Sequence, residues 1–378
     1  MTGQFNAITV RPNNFDLIRL AAALQVVVVH ANEHLHLSEE MSDGMIQLLS
    51  VIGLFPGVPI FFVISGFLIS RSFESSQTIM GFAWKRILRI YPGLWCAFLV
   101  SLILVLGSRP QLLLNAEIKQ FLLWTVAQVS IIQFYNPQFL RAYGVGVLNG
   151  SLWTIPVEMQ FYMATPLIYY LCCSSRDRAK WRLPLVIFVF IVVNRIWSSV
   201  PLDSQNHISF KLLSVSMVPY FWVFLIGVWL QQNWLSVRRY FESKFVFWIT
   251  AYVVFCLAIA PLTGMSIGSN NSSILATILL AGVTMSAAFS TKRLAGYLLR
   301  GTDLSYGVYI YHMLVVNFLL EIGLSRSFYL LPVVLVISLF AASLSWFFIE
   351  SPLLRQKVDA RGLEKPFSHS EICLNESK

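Results

Sequence analysis

Two ionisable side chains share one stripe of an apolar segment near the start of the chain. The stretch Asn14-Phe-Asp-Leu-Ile-Arg-Leu-Ala-Ala-Ala-Leu-Gln-Val-Val-Val-Val-His30 has the length and composition of a membrane span, yet it carries Arg19 and His30. They are eleven residues apart. In a helix that spacing returns both to one face, roughly 16 Å apart along the axis. Ionisable groups are expensive in a bilayer, and those that persist face a bundle interior, a pathway or a site. A guanidinium fork suits phosphate oxygens, and an imidazole suits proton transfer. Asp16, three residues before Arg19, is the expected ion-pair partner of that arginine.

Further groups join them by depth. His30 stands about 22 Å into a hydrocarbon core of about 30 Å, counted from the inner side. Glu158, seven residues into a span over 151–173 that starts outside, stands about 20 Å above the inner boundary by the same arithmetic. A carboxylate beside an imidazole raises its basicity and fixes its tautomer, so Glu158 is expected to orient His30. In Trp84-Lys-Arg-Ile-Leu-Arg-Ile-Tyr-Pro92, Arg86 and Arg89 lie three apart on one face. With Arg19 they make a phosphate clamp open to the cytoplasm, although juxtamembrane arginines also serve as topology determinants. Tyr306, Tyr309 and His312 roughly share a face, which lets His312 line the same cavity; packing by hydrogen bonds is the plainer role for a histidine between tyrosines. In Phe61-Phe-Val-Ile-Ser-Gly-Phe-Leu68 the small Ser65-Gly66 pair suits close helix approach better than a nucleophile. His30-Ala-Asn-Glu-His34 matches an inverted zinc-peptidase pattern. With no third ligand following, and with the pattern at the end of a span, no metal is expected.

The elements that must position these groups are membrane helices. The chain has 378 residues, 57% hydrophobic and 12% charged, where a soluble domain carries about 25% charge. Five cysteines (Cys96, Cys172, Cys173, Cys256, Cys373) make no disulfide framework or CxxC spacing. The first apolar run has the length of a span, and Ala21-Ala22-Ala23 lies inside it, so no cleavable signal peptide is expected. Apolar segments fall at 15–37, 51–72, 84–107, 118–134, 151–173, 183–200, 211–232, 245–262, 272–290, 303–323 and 328–350. Positive residues collect on the cytoplasmic side. With the N-terminus inside and 118–134 treated as an outer-side interfacial or re-entrant helix, twenty Lys and Arg fall inside and five outside. Eleven crossings would put one set of basic loops on the wrong side. The expectation is an all-α polytopic membrane protein of about ten transmembrane helices, both ends cytoplasmic: a membrane domain over 1–355 and a polar tail over 356–378. The net charge of +9 follows the loops and no basic face accumulates, which argues against nucleic-acid binding.

These stretches, taken together, resemble the membrane acyltransferase 3 family. The matching residues are Arg19 with His30, Phe-Phe-x-x-Ser-Gly-Phe at 61–67, Arg-x-x-Arg at 86–89, Ser-Leu-Trp153 leading to Glu158, Ser-Tyr306-Gly leading to His312, and Phe-Ile-Glu-Ser-Pro at 348–352. They occur in order across nearly the whole chain. The resemblance implies transfer of an acyl group, usually acetyl, from acyl-CoA on the cytoplasmic side to a hydroxyl of a surface or exported glycan. On that reading His30 and Glu158 are catalytic, Arg19, Arg86 and Arg89 bind acyl-CoA, and Asp16, Ser65, Trp153, Tyr306 and His312 support them. Acyl-CoA is a substrate, and no resident cofactor is implied. The implied partners are acyl-CoA, the glycan and the bilayer of a bacterial inner membrane. A secondary transporter or flippase is the competing class, because it too needs intramembrane Arg, His and Glu. No pair of Gly- or Pro-broken spans recurs in two halves, which counts against it.

Overall fold

A computed structural model describes residues 13–173, 181–201, 205, 207–291 and 294–354, and every regular element among them is helical. In chain order these are α1 Phe15–Leu35, α2 Asp43–Gly53, α3 Gly57–Glu74, α4 Ile79–Ser108, α5 Pro110–Leu114, α6 Ile118–Val129, α7 Thr154–Ile168, α8 Arg182–Ser198, α9 Ile208–Ser214, α10 Phe221–Gln232 and α11 Trp234–Val237. They continue with α12 Phe245–Val254, α13 Ala260–Thr263, α14 Ile274–Ser290, α15 Leu294–Leu299, α16 Ser305–Glu321 and α17 Leu330–Ser345. Wider π turns prolong α7, join α12 to α13 and extend α17. The expected polar tail and the basic residues Arg176, Arg178, Lys180, Lys292 and Arg293 lie outside the described residues.

The elements follow the apolar segments closely. Among the described residues, five helical stretches are long and apolar enough to cross a membrane: Phe15–Leu35, Asp43–Glu74, Ile79–Ser108, Phe245–Thr263 and Leu330–Leu354. The chain is a multi-pass membrane protein. Other expected spans are shorter or interrupted: α7 has 15 residues, α8 and α16 have 17 each, and 211–232 is divided between α9 and α10 ahead of Phe221. Segment 118–134 supplies only the 12 residues of α6. That is about 18 Å, short of the roughly 20 residues a crossing needs.

α1 is the central helix. Ala22 and Val26 join one hydrophobic cluster, while Ala23, Val27 and Ala31 join a second, and its main neighbours are α16, α3 and α17. Its start is locked by Asn14, buried at 2% exposure, which donates to Thr291 Oγ1 at 3.0 Å and accepts from the Ala295 amide at 2.9 Å. Its end is set by His36, in a left-handed conformation (φ 53°), whose amide bonds Asn32 O. The loop before α7 is tied onto α16. Asn317 accepts from the Val145 amide at 2.8 Å and donates to Leu148 O at 2.9 Å, and Asn149 donates to Ile310 O at 2.8 Å. These bonds aim the start of α7, and so Glu158, into the bundle.

The most extensive helix pair is α3 with α10, and two glycines permit it. A Cβ on Gly66 would stand 2.0 Å from Phe224 O, and one on Gly227 would stand 2.1 Å from Val63 O. Backbone lies against backbone there, as at other membrane-helix contacts made by small residues. We expect Gly66→Leu to force the pair apart at a cost of about 2–4 kcal/mol. The check is a thermal-unfolding scan in detergent micelles, which should show a lowered midpoint or loss of the monodisperse species.

Candidate active site

Two guanidiniums and two carboxylates meet near the start of α16. Arg19 on α1 donates from Nη1 to Asp303 Oδ2 at 2.6 Å, and Arg89 on α4 donates to the same oxygen. The other oxygen of Asp303 accepts from the Ser305 hydroxyl at 2.5 Å and the Ser305 amide at 3.2 Å. This carboxylate thus ties the first turn of α16 to two helices at once. One turn beyond Arg89, Gly93 admits two more groups: a Cβ there would stand 2.8 Å from the Tyr306 ring and 3.4 Å from Glu350 Oε1. Glu350 is 2% exposed; Ser345 donates to its Oε1 at 2.9 Å, and its buried Oε2 has no hydrogen-bond partner among the described residues. Arg86 stands apart from this group. Its guanidinium lies 6.0 Å from the Phe82 ring and 5.8 Å from the Tyr162 ring, it donates to Ser72 Oγ at 3.3 Å, and its buried Nε has no hydrogen-bond partner among the described residues.

Glu158 forms the second focus. Its Oε1 accepts from the Ser65 hydroxyl at 3.2 Å and from the Tyr162 hydroxyl. The Tyr162 ring therefore links Arg86 to Glu158. A cavity here is lined by Arg19, Ser65, Glu158, Tyr306 and Tyr309 among others. Tyr306 donates to Ile90 O at 2.7 Å, and Tyr309 donates to Ser151 O at 3.0 Å. Polar groups on an otherwise apolar wall (Val58, Phe61, Phe62, Ile155) are the usual make-up of a ligand site.

His30 is the third focus, and its partner differs from the expected one. Its Nδ1 stands 2.9 Å from His312 Nε2, with ring centroids 5.2 Å apart. Glu158 makes no hydrogen bond to it among the described residues. α1 packs on α16, α3 and α17, while α7 packs on α3 and α4, so equal depth does not bring Glu158 and His30 side by side. The Asp16 expectation is corrected likewise: the carboxylate that pairs with Arg19 is Asp303, two residues ahead of α16. Trp153 packs on Tyr220 at 5.3 Å between ring centroids and does not line the cavity. His34 lies 5.7 Å from His30 by ring centroids. Among the described residues no group of three His, Cys, Asp or Glu is arranged to hold a metal ion.

The model of the family described as an acyltransferase domain matches residues 13–350. The chain belongs to the acyltransferase 3 family. It is 33% identical over 357 residues to nodulation protein 10 of Rhizobium leguminosarum bv. viciae, covering 91% of this chain and 93% of that one. It is 32% identical over 158 residues to an O-acetyl transferase of Shigella phage Sf6, covering 41% and 45%. It is 24% identical over 326 residues to the peptidoglycan O-acetyltransferase OatA of Listeria monocytogenes, covering 80% of this chain and 51% of that one. No solved structure matches. All the groups described above lie inside the matched range, so the cavity and its charged rim are features of the acyltransferase domain itself.

Asp303 and Glu350 were not singled out from the sequence as site residues. Each had a signal: both are acids within apolar surroundings, at the head of α16 and at the end of the α17 extension. Replacing Asp303 by Asn leaves two partly buried guanidiniums facing each other, a loss of about 3–5 kcal/mol. A double-mutant cycle with Arg89→Met, read by thermal unfolding, should recover part of that loss, because the two side chains share one ion pair.

Proposed function

We propose that this acyltransferase moves an acyl group, most simply acetyl, from acyl-CoA on the cytoplasmic side to a hydroxyl of a surface or exported glycan, with His30 as general base. The observation that carries the reading is the cavity lined by Arg19, Ser65, Glu158 and Tyr306 in a chain of this family. Two relatives, an O-acetyl transferase and a peptidoglycan O-acetyltransferase, support a hydroxyl acceptor of glycan type.

In this mechanism Arg86, whose buried Nε has no hydrogen-bond partner among the described residues, and the Arg19–Arg89 pair meet the phosphates of the nucleotide; guanidinium forks suit them. The phosphates compete with Asp303 for Arg19 and Arg89. The pantetheine arm runs along the stripe from Arg19 towards His30, a distance of about 16 Å. Glu158, held by Ser65 and Tyr162, accepts an N–H or O–H of bound substrate. His30 takes the proton of the acceptor hydroxyl as its oxygen bonds the thioester carbon. The C–S bond then breaks, and the imidazolium returns the proton to the departing CoA thiolate.

His30→Ala should cut transfer from radiolabelled acetyl-CoA to the glycan of membrane vesicles by about 10²–10⁴-fold at equal membrane abundance. Full activity in that variant would remove His30 from the chemistry. Arg86→Ala should raise the KM for acetyl-CoA about tenfold, the loss of one charge-assisted contact of roughly 1.4 kcal/mol. A flippase or transporter would leave no labelled acyl group on the glycan. The orientation, with both ends in the cytoplasm, predicts that a cysteine introduced within 38–50 reacts with an impermeant maleimide on intact cells, and that one within 356–378 does not.

A further inference from the structure

The geometry points to His312 as the positioning residue of His30: it sets which ring nitrogen of His30 carries the proton and so leaves Nε2 as the free base. This rests on the reading of His30 as the general base. The argument begins at Val308, whose carbonyl oxygen lies 3.2 Å from His312 Nδ1. A carbonyl only accepts, so the hydrogen sits on His312 Nδ1. A neutral imidazole has one N–H, which makes His312 Nε2 an acceptor. The nitrogen 2.9 Å away, His30 Nδ1, must then be the donor. That spends the one N–H of neutral His30 and leaves a bare lone pair on its Nε2, which has no partner among the described residues. The opposite polarity would turn the His312 Nδ1 lone pair towards the Val308 carbonyl, setting two acceptors against each other.

His312 is suited to hold this polarity. It is 0% exposed, on the same helix as Val308, and wedged against the Tyr309 ring at 5.9 Å between centroids. Val308 lies four residues before His312 on α16, so the reference carbonyl moves with the ring. When His30 takes the acceptor's proton, its Nδ1–H still points at His312 Nε2, and the imidazolium keeps a hydrogen bond. The pair thus has the logic of an orienting group behind a catalytic histidine, with a neutral ring where a carboxylate commonly stands. No added burial of charge is required in the resting state.

The experiment uses the full chain in lipid nanodiscs and in membrane vesicles that retain their own glycan, with acetyl-CoA as probe. His312→Leu, which removes the acceptor, should lower kcat about 10²-fold or more while the KM for acetyl-CoA stays within about twofold. His312→Gln, whose amide oxygen can accept from His30 Nδ1, should restore most of that loss. Nitrogen NMR of histidine-labelled wild type should show His30 with a protonated Nδ1 and a bare Nε2, its signals assigned by their absence in His30→Ala. A protonated Nε2 on His30 would overturn the inference even if His312→Leu did not fold. Wild-type activity in His312→Leu, with His30→Ala inactive, would overturn it while leaving the proposed function standing. Wild-type activity in His30→Ala would instead sink the proposed function.

Discussion

One buried carboxylate holds one end of this bundle together. Asp303 receives Arg19 from α1 and Arg89 from α4, and its other oxygen caps the turn into α16. A charge taken out of water needs both an opposite charge and hydrogen bonds to its remaining lone pairs, and Asp303 has both. Since the partners come from three helices, the requirement is geometric as well as electrostatic: α1, α4 and α16 must meet at one height. Arg19 also lines the cavity, as does Ser305, so the feature that organises the fold also conditions the site.

The consequence runs upward along α1. Arg19 meets Asp303 at the base, and His30 meets His312 further on. The two partners on α1 are eleven residues apart and those at α16 are nine apart, about 16 Å and about 14 Å of rise. Near-equal spacings let both pairs form at once only if the helices run in the same direction and nearly in register. Ala23, Val27 and Ala31 of α1 and Val308, Val315 and Val316 of α16 fill the second hydrophobic cluster. Small and β-branched side chains there bring the two rings within hydrogen-bonding reach. The polar contacts and the packing therefore impose the same alignment.

Elsewhere the fold keeps the cavity walls stiff. α3 carries Ser65 and Phe62 to the cavity and is seated on α10 through Gly66 and Gly227. α7 carries Glu158, and the loop ahead of it is fastened to α16 by Asn317 and Asn149. Tyr309 closes the remaining side through Thr154 and Ser151. The walls from α1 and α7 are thus tied to α16, and Arg19 and Glu158 come to line one cavity.

Much of this was readable in the chain. Apolar run lengths predicted the helices, from 15–37 observed as Phe15–Leu35 to 328–350 observed as Leu330–Leu354, because a span must satisfy its backbone internally and match the bilayer thickness. Helical periodicity predicted that Arg19 and His30 share a stripe. The polarity of 118–134 predicted an element unlike its neighbours, and α6 is too short to span. What periodicity and depth cannot specify is azimuth and neighbour. They supply height along a helix and the face a residue occupies, but not which helix that face meets. Glu158 and His312 were both compatible with standing beside His30. The packing of α1 against α16 selected His312, and the same contact selected Asp303 over the nearer Asp16 as the partner of Arg19. The sequence by itself determined the helices and the chemistry each can offer. Only the tertiary structure decided the pairs, because a hydrogen bond or ion pair forms between surfaces that packing brings together, however far apart they lie in the chain.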